Sequence, residues 1–147
     1  MSVIENFLTK KEEQEVVNAI QQAEGETSGE IRVHLELEVY GNVHERALEI
    51  FHMLEMNNTN LHNGVLFYVA VKSKAFAIYG DKGIHKVVPD LFWETTKDIV
   101  IDNFKKGLYK DGIVKGILKA GKELKKYFPR VNNDRNELPD QISKGWF

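Results

Sequence analysis

The chain has 147 residues, of which 42% are hydrophobic and 29% are charged, and its formal net charge is −2. That length favours a single domain with an apolar core of its own. The sequence contains no cysteine, which excludes disulfide scaffolds, zinc–thiolate sites, iron–sulfur clusters and thiol catalysis.

The small net charge is the balance of two oppositely charged regions. Residues 1–60 carry 4 basic and 12 acidic side chains, whereas residues 103–130 carry 9 basic and 2 acidic ones. The basic region is almost entirely lysine, with little arginine for reading bases, so we expect no sequence-specific nucleic-acid binding. We interpret the two regions as neighbouring surfaces that neutralise each other; contact of the lysine-rich region with an anionic membrane or nucleic acid is a weaker alternative.

The longest apolar run, residues 65–71, has seven residues, against about 20 for a membrane-spanning helix. The first ten residues lack the basic and apolar pattern of a secretory signal. The sequence therefore predicts a cytoplasmic protein without a transmembrane segment.

The first half of the chain predicts a helix, a strand, a second helix and a hairpin. Thr9 and Glu12 form a capping box before a helix that ends at Gly25. Residues 30–38 alternate between apolar and polar, residues 43–54 have helical spacing, and residues 65–71 are continuously apolar. Residues 75–79 fit the hairpin partner of that buried strand. The strand–helix–strand order predicts that the first two strands are parallel.

The second half predicts two helices and a tail. One helix is expected from Pro89-Asp90 to Gly107, and another from about residue 111 to residue 127. Residues 130–147 lack periodicity and predict a flexible C-terminal tail that can dock its aromatic end, Trp146-Phe147.

Small residues recur in the last predicted helix. Gly112, Gly116 and Ala120 are spaced by four, which gives one smooth face of a helix. A glycine inside a helix costs about 1 kcal/mol relative to alanine. We therefore expect this face to pack closely against a neighbouring element.

Two partial motifs do not favour a cofactor site. Gly116-x4-Gly121-Lys122 matches a phosphate-binding loop, but Glu123 replaces the Ser or Thr that would bind magnesium, and the segment lies within a predicted helix. Glu49-x-x-His52 has the spacing of a carboxylate-bridged metal site, which needs a second such motif. We interpret the latter as part of a solvent-exposed helix face.

Two carboxylates follow the predicted hairpin at positions typical of a ligand site. Asp81 comes directly after the third strand, and Asp90 lies where the next helix is expected to begin. Side chains at strand ends often line the ligand crevice of an α/β sheet, and carboxylates are the ligands that calcium and magnesium prefer. The alternative is that Asp90 only caps a helix and Asp81 is an ordinary turn residue.

An ordered set of segments resembles the TPM domain family, which includes thylakoid-lumen photosystem repair proteins, an acetylcholine-receptor modulator and many bacterial proteins. The segments are residues 28–33, residues 63–69, residues 79–90 and the glycine-spaced residues 104–117. The resemblance covers about residues 5–128. The chain is similar to a short, soluble bacterial type of member.

The resemblance implies an α/β fold, a three-layer α/β/α sandwich with a small central mixed sheet of 3–4 strands and about four flanking helices. It implies one domain over residues 1–129, with residues 130–147 as the flexible tail. It also implies that a divalent cation, calcium or magnesium, binds at an acidic cluster, for which Asp81 and Asp90 match best and Glu30 is a weaker candidate. Many relatives carry a signal peptide and a membrane anchor, which this sequence does not show.

Two functions follow from the residues and the resemblance together. The first is a protein-interaction module that binds a divalent cation, with an unidentified protein partner that could be membrane-associated. The second is a metal-dependent acid phosphatase of low specificity, in which metal ions on Asp81 and Asp90 and nearby lysines would neutralise phosphate charge.

Overall fold

A computed structural model describes residues 3–130 and 137–145 of the chain. The helices and strands follow one another along the chain in this order: α1 Val3–Phe7, α2 Lys10–Glu24, β1 Glu30–Glu36, α3 Val43–Met53, β2 Gly64–Ala70, β3 Ala75–Gly80, α4 Lys82–His85, α5 Glu94–Lys105, α6 Tyr109–Leu124 and β4 Ser143–Lys144.

The four strands form one mixed sheet in the order β3-β2-β1-β4. β1 is parallel to β2, as the crossover order predicted, and β2 is antiparallel to β3. All seven residues of β2 are buried because this central strand is covered on both faces. β1 also buries most of its polar side chains, whereas its alternating pattern alone would allow an open polar face.

Helices cover both faces of the sheet, so the predicted three-layer α/β/α sandwich is confirmed. One face packs against α2, α5 and α6 through residues such as Ile31, Phe67 and Ile117. The other face packs against α3 through Phe51 and Leu66. The described ranges contain two short helices, α1 and α4, in addition to the expected number of about four flanking helices.

Local sequence determines most helix ends. The capping box of Thr9 and Glu12 is present at the start of α2, and Asn42 caps α3 by accepting hydrogen bonds from two backbone N–H groups. The helix expected from Pro89-Asp90 is shorter than predicted, because residues 90–93 form turns and α5 begins at Glu94.

The small-residue face of α6 packs closely against its neighbours, as predicted. A Cβ atom on Gly116 would lie 2.5 Å from Val100 Cγ2, and one on Gly112 would lie 3.0 Å from Val100 O. Ala120 is fully buried. A side chain at Gly116 or Gly112 would therefore crowd Val100 of α5, so glycine at these two positions allows the close approach of α6 to α5.

The C-terminal segment differs from the expected tail where the structure describes it. Residues Ser143–Lys144 pair with β1 as a fourth, parallel strand, and Leu138 is buried against the α3 layer. The pairing depends on contacts with distant residues, so the local sequence carries no periodic pattern that would indicate it. The predicted docking of Trp146-Phe147 lies outside the described residues.

Candidate functional site

The structure brings two of the three predicted ligands to one end of the sheet. Glu30 starts β1 and pairs with Gly64 of β2, while the Asp81 N–H donates to the Gly64 carbonyl over 2.9 Å. Glu30, at the start of β1, and Asp81, directly after β3, therefore lie on either side of Gly64. Asp90 is exposed in the turns before α5, away from any capping role.

The carboxylate of Asp81 has one satisfied oxygen and one without a partner. Asp81 caps α4, and its Oδ1 accepts a hydrogen bond from the Lys82 N–H at 2.8 Å. Its Oδ2 is buried without a hydrogen-bond partner. The nearest cationic candidate is His62 Nδ1 at 3.6 Å, beyond hydrogen-bond distance, and that nitrogen is also buried without a partner.

A close backbone contact positions His62 opposite Asp81. The Gly83 N–H donates to the His62 carbonyl over 2.9 Å. A Cβ atom on residue 83 would lie 2.2 Å from the carbonyl oxygen of Leu61, so only glycine fits. His62 itself has a positive φ of 49°, a conformation that non-glycine residues adopt at an energetic cost.

Aromatic side chains surround the turn at Gly80-Asp81. Burial and the negative charge of Asp81 raise the pKa of the Tyr79 hydroxyl. The centre of the Tyr79 ring lies 6.2 Å from that of the His85 ring. Trp93 packs over Gly80, and its indole Nε1 is buried without a partner. Unpartnered buried polar atoms are rare in folded proteins, so their concentration around this turn marks it as a candidate functional site.

Glu30 belongs to a second group of carboxyls that the sequence did not reveal. Glu24 at the end of α2 is buried, and its Oε2 accepts a hydrogen bond from the Ile31 N–H at 3.0 Å. Its side chain also hydrogen-bonds to those of Asp140 and Glu30. Glu30 Oε1 accepts the Glu137 N–H.

Glu24, Glu30, Glu137 and Asp140 form an acidic cluster, in which burial is the main cause of the raised pKa values of Glu24 and Glu30. Burial, followed by the hydrogen bond with Asp140, raises the pKa of Glu24 to about 10. Burial also raises the pKa of Glu30. Glu24 therefore retains its proton at neutral pH and can donate it in a hydrogen bond to a neighbouring carboxylate. Two of its members come from the C-terminal segment, so no local motif could have identified it.

The donor set determines what kind of cation could bind near Asp81. Within residues 3–130 and 137–145, no group of three or more His, Cys, Asp or Glu side chains is arranged to hold a metal ion. Calcium takes 6–8 oxygen ligands, whereas magnesium keeps several waters and is often held by one or two carboxylates. The unpartnered Asp81 Oδ2 fits a largely hydrated magnesium-type ion better than calcium.

A pocket of about 310 Å³, lined by both apolar and charged side chains, lies at the opposite end of β1. Its inner wall is Glu36, which accepts hydrogen bonds from Arg46 Nε at 2.9 Å, from Arg46 Nη2 and from the Tyr68 hydroxyl. Hydrogen bonding to Glu36 raises the pKa of Arg46. These three groups satisfy one another, so this pocket shows no unpartnered atom comparable to Asp81 Oδ2.

The remaining sequence motifs have structural roles. Gly116-x4-Gly121-Lys122 lies inside α6, and Glu49 and His52 are exposed on α3, as expected. No helix in the described ranges is both long and apolar enough to cross a membrane.

Comparisons with known proteins agree with this architecture. The model of the TPM domain matches residues 2–123. The NMR structure of the BA42 protein from the psychrophilic bacterium Bizionia argentinensis is 56% identical, with 99% of this chain and 100% of that chain covered at a TM-score of 0.91. The N-terminal domain of a P. gingivalis protein, also solved by NMR, shares the fold at 17% identity and a TM-score of 0.67, with 84% of this chain and 80% of that chain covered. No curated protein sequence matches the chain. The chain belongs to the TPM domain family.

Proposed function

We propose that this TPM domain is a protein-interaction module that binds a divalent cation at Asp81. The observation that supports the cation is the buried Asp81 Oδ2 without a hydrogen-bond donor, 3.6 Å from an equally unpartnered His62 Nδ1. A buried carboxylate oxygen without a donor is destabilising unless a proton or cation compensates it. A bound cation supplies that compensation.

The cation is a hydrated one, with magnesium preferred over calcium, because few protein donors converge on Asp81. Glu30 is a second-rank ligand, since its carboxyl is already engaged with the Glu137 N–H and with Glu24. Asp90 is exposed and offers only a long-range negative charge. We therefore propose that the ion binds at Asp81 and not at the acidic cluster, where Glu24 retains its proton at neutral pH.

The interaction role is favoured over catalysis by the side chains at this turn. In the part of the chain that the structure describes, the side chains around Asp81 include those of His62, Tyr79 and Trp93, and none of these is a serine or cysteine nucleophile. The metal-dependent acid phosphatase stays the alternative, because Lys82 follows Asp81 directly and is exposed. A lysine beside a bound cation could neutralise a phosphate group.

Calorimetric titration with MgCl₂ and CaCl₂ tests the proposed site. Asp81→Asn removes the charge but keeps a good N-cap residue for α4. We expect this variant to bind the cation about tenfold to a hundredfold more weakly than the wild type. Asp90→Asn is the matched control, because it removes an exposed carboxylate from the same region, and we expect unchanged affinity. Equal affinity of wild type and Asp81→Asn would refute the site.

Hydrolysis of p-nitrophenyl phosphate with and without magnesium separates the two functions. The interaction module predicts no metal-dependent rate. A magnesium-dependent rate that Asp81→Asn abolishes and Asp90→Asn preserves would instead establish the phosphatase.

A further inference from the structure

The outer side of β3 is an open sheet edge. β3 is the terminal strand of the sheet and pairs only with β2. The Asp81 N–H bonds to Gly64, and hydrogen-bonded positions alternate along an antiparallel pair. The backbone groups of Phe76, Ile78 and Gly80 therefore point away from β2, and no described residue bonds to them.

β3 also lacks the features that usually protect an edge. Its six residues, Ala75–Gly80, include no charged residue and no proline. In natural proteins a charged side chain, a proline or a very short strand commonly prevents an edge strand from pairing with another chain. The opposite edge strand, β4, is only two residues long, and its Lys144 is ion-paired with Glu5 and Glu13. The sheet is thus protected on one side and open on the other.

An apolar groove of about 460 Å³ runs along the first half of this open edge. Val43 at the start of α3 lines one side, and Ile101 and Phe104 of α5 line the other, with Ala75 and Phe76 of β3 between them. Because α3 and α5 cover opposite faces of the sheet, the groove straddles the strand edge. An added strand would place alternate side chains against both walls.

The rim of this β3 groove is positively charged. Lys74 and Lys105 line it, and neither forms an ion pair with any described residue, whereas Lys72 nearby is paired with Glu38 at 3.2 Å. Lys74 Nζ lies 5.9 Å above the ring of Tyr109, which holds the ammonium group beside the groove. The occupant that matches this rim carries carboxylates.

We propose that an extended segment of a partner protein, with alternating apolar residues flanked by carboxylates, adds as a strand to the open edge of β3. Backbone hydrogen bonds to Phe76 and Ile78 give the affinity, and the groove and its two lysines give the specificity. This inference rests on the interaction half of the proposed function and is independent of the cation.

A second copy of this chain fits the edge less well. Self-pairing that uses all three outward-facing residues places Ile78 opposite Ile78 and Phe76 opposite Gly80. The same register brings Lys74 of one copy toward Lys82 of the other, at the start of α4, and like charges brought close together repel each other. Charge thus favours an acidic partner segment over self-association.

The test uses a dye-labelled peptide of alternating valine and threonine with two glutamates at each end, and a counterpart that ends in lysines. Fluorescence anisotropy should show binding of the acidic peptide to the full chain and at least about tenfold weaker binding of the lysine-ended one. The Lys74→Glu/Lys105→Glu variant should reverse this preference. Lys115→Glu/Lys122→Glu is the matched control on the exposed side of α6 and should leave it unchanged.

A backbone variant tests the strand-addition geometry. Ile78→Pro removes an N–H that the sheet does not use, a substitution that edge strands accept, and should abolish peptide binding while the amide spectrum stays native. If that variant does not fold, amide shifts in the wild type must centre on residues 74–78 when the peptide is added. Shifts centred elsewhere, no peptide binding, or a stable dimer of the free chain would overturn the proposal.

Separate readouts distinguish this inference from the cation site. Asp81→Asn should bind the acidic peptide like wild type, and Lys74→Glu/Lys105→Glu should bind magnesium like wild type. Loss of peptide binding in Asp81→Asn would overturn the independence of the two sites.

Discussion

At the residue scale, the C-terminal segment supplies both hydrogen-bond partners of His34, a buried side chain of β1. His34 Nδ1 lies 2.8 Å from Ser143 Oγ, and its Nε2 lies 3.0 Å from the Gly145 carbonyl oxygen. Burial lowers the pKa of His34 to about 4. The imidazole is therefore neutral at pH 7, and protonation would oppose the docking of β4.

This histidine predicts a loss of stability in mild acid. The folded-state pKa is below the unfolded value of 6.5, so the contribution is complete above pH 6.5 and declines as the pH falls toward 4. We expect the free energy of unfolding, measured with urea, to fall by roughly 1–3 kcal/mol from this group between pH 7 and pH 4. His34→Gln should reduce that dependence. An identical acid dependence in His34→Gln would contradict the assignment.

The opposite sign applies to Glu24. Its folded-state pKa of about 10 is above its usual 4.5, so its contribution is complete below pH 4.5 and is lost as the pH rises toward 10. Glu24→Gln keeps an acceptor for the Ile31 N–H and gains a permanent donor toward Asp140. We expect this variant to be more stable than wild type by about 1 kcal/mol at pH 9, measured by urea unfolding. Lower stability at pH 9 would contradict this.

At the element scale, the packing of α6 against α5 makes a prediction that reverses helix propensity. Gly116→Ala should stabilise an isolated helix by about 1 kcal/mol, yet its Cβ would lie 2.5 Å from Val100 Cγ2 and 3.1 Å from the Phe67 ring. We expect a net destabilisation of about 1–3 kcal/mol in chemical unfolding. Lys115→Ala, at an exposed position of the same helix, is the control and should be nearly neutral. A stabilised Gly116→Ala would show that the contact relaxes freely.

Elements with strong local patterns could be predicted from the sequence, and those that depend on tertiary contact could not. The capping box of α2 and the continuous apolar run of β2 are local, and both were predicted. β4 has two residues and depends on His34 and the edge of β1. Asp90 was expected as a cation ligand or, in the alternative, as a helix cap, but Asp81 caps α4 and Trp93 occupies the N-cap position of α5.

The residues of the candidate site also divide into those with a local sequence signal and those brought together only by the fold. Asp81 could be identified because the end of the third strand can be predicted from the pattern of the chain, whereas Glu30 was a candidate only through the resemblance to the TPM family. His62 lies in a loop, and Glu24 and Asp140 meet only through the fold. The sequence therefore indicates the end of the sheet where Asp81 and Glu30 lie, but not the side chains that surround them.

At the scale of the whole molecule, the oppositely charged regions are neighbours only in part. α2 packs against α6, where Gly121 approaches Ala23 so closely that a Cβ atom would lie 2.8 Å from the Ala23 Cβ. Lys110 reaches Glu15 at 3.6 Å, while Lys119 pairs with Glu123 on its own helix at 3.0 Å. Ion pairs between the acidic residues 1–60 and the basic residues 103–130 therefore neutralise only some of these charges. Other lysines of α6 stay exposed.

The most direct test of the central claim is a magnesium titration followed residue by residue in ¹⁵N–¹H NMR spectra of the full chain. We predict that the shifts centre on the amides of His62, Asp81 and Lys82, that Asp81→Asn abolishes them, and that Asp90→Asn preserves them. Shifts that centre instead on Glu24 and Glu30, or their absence in the wild type, would contradict a cation site at Asp81.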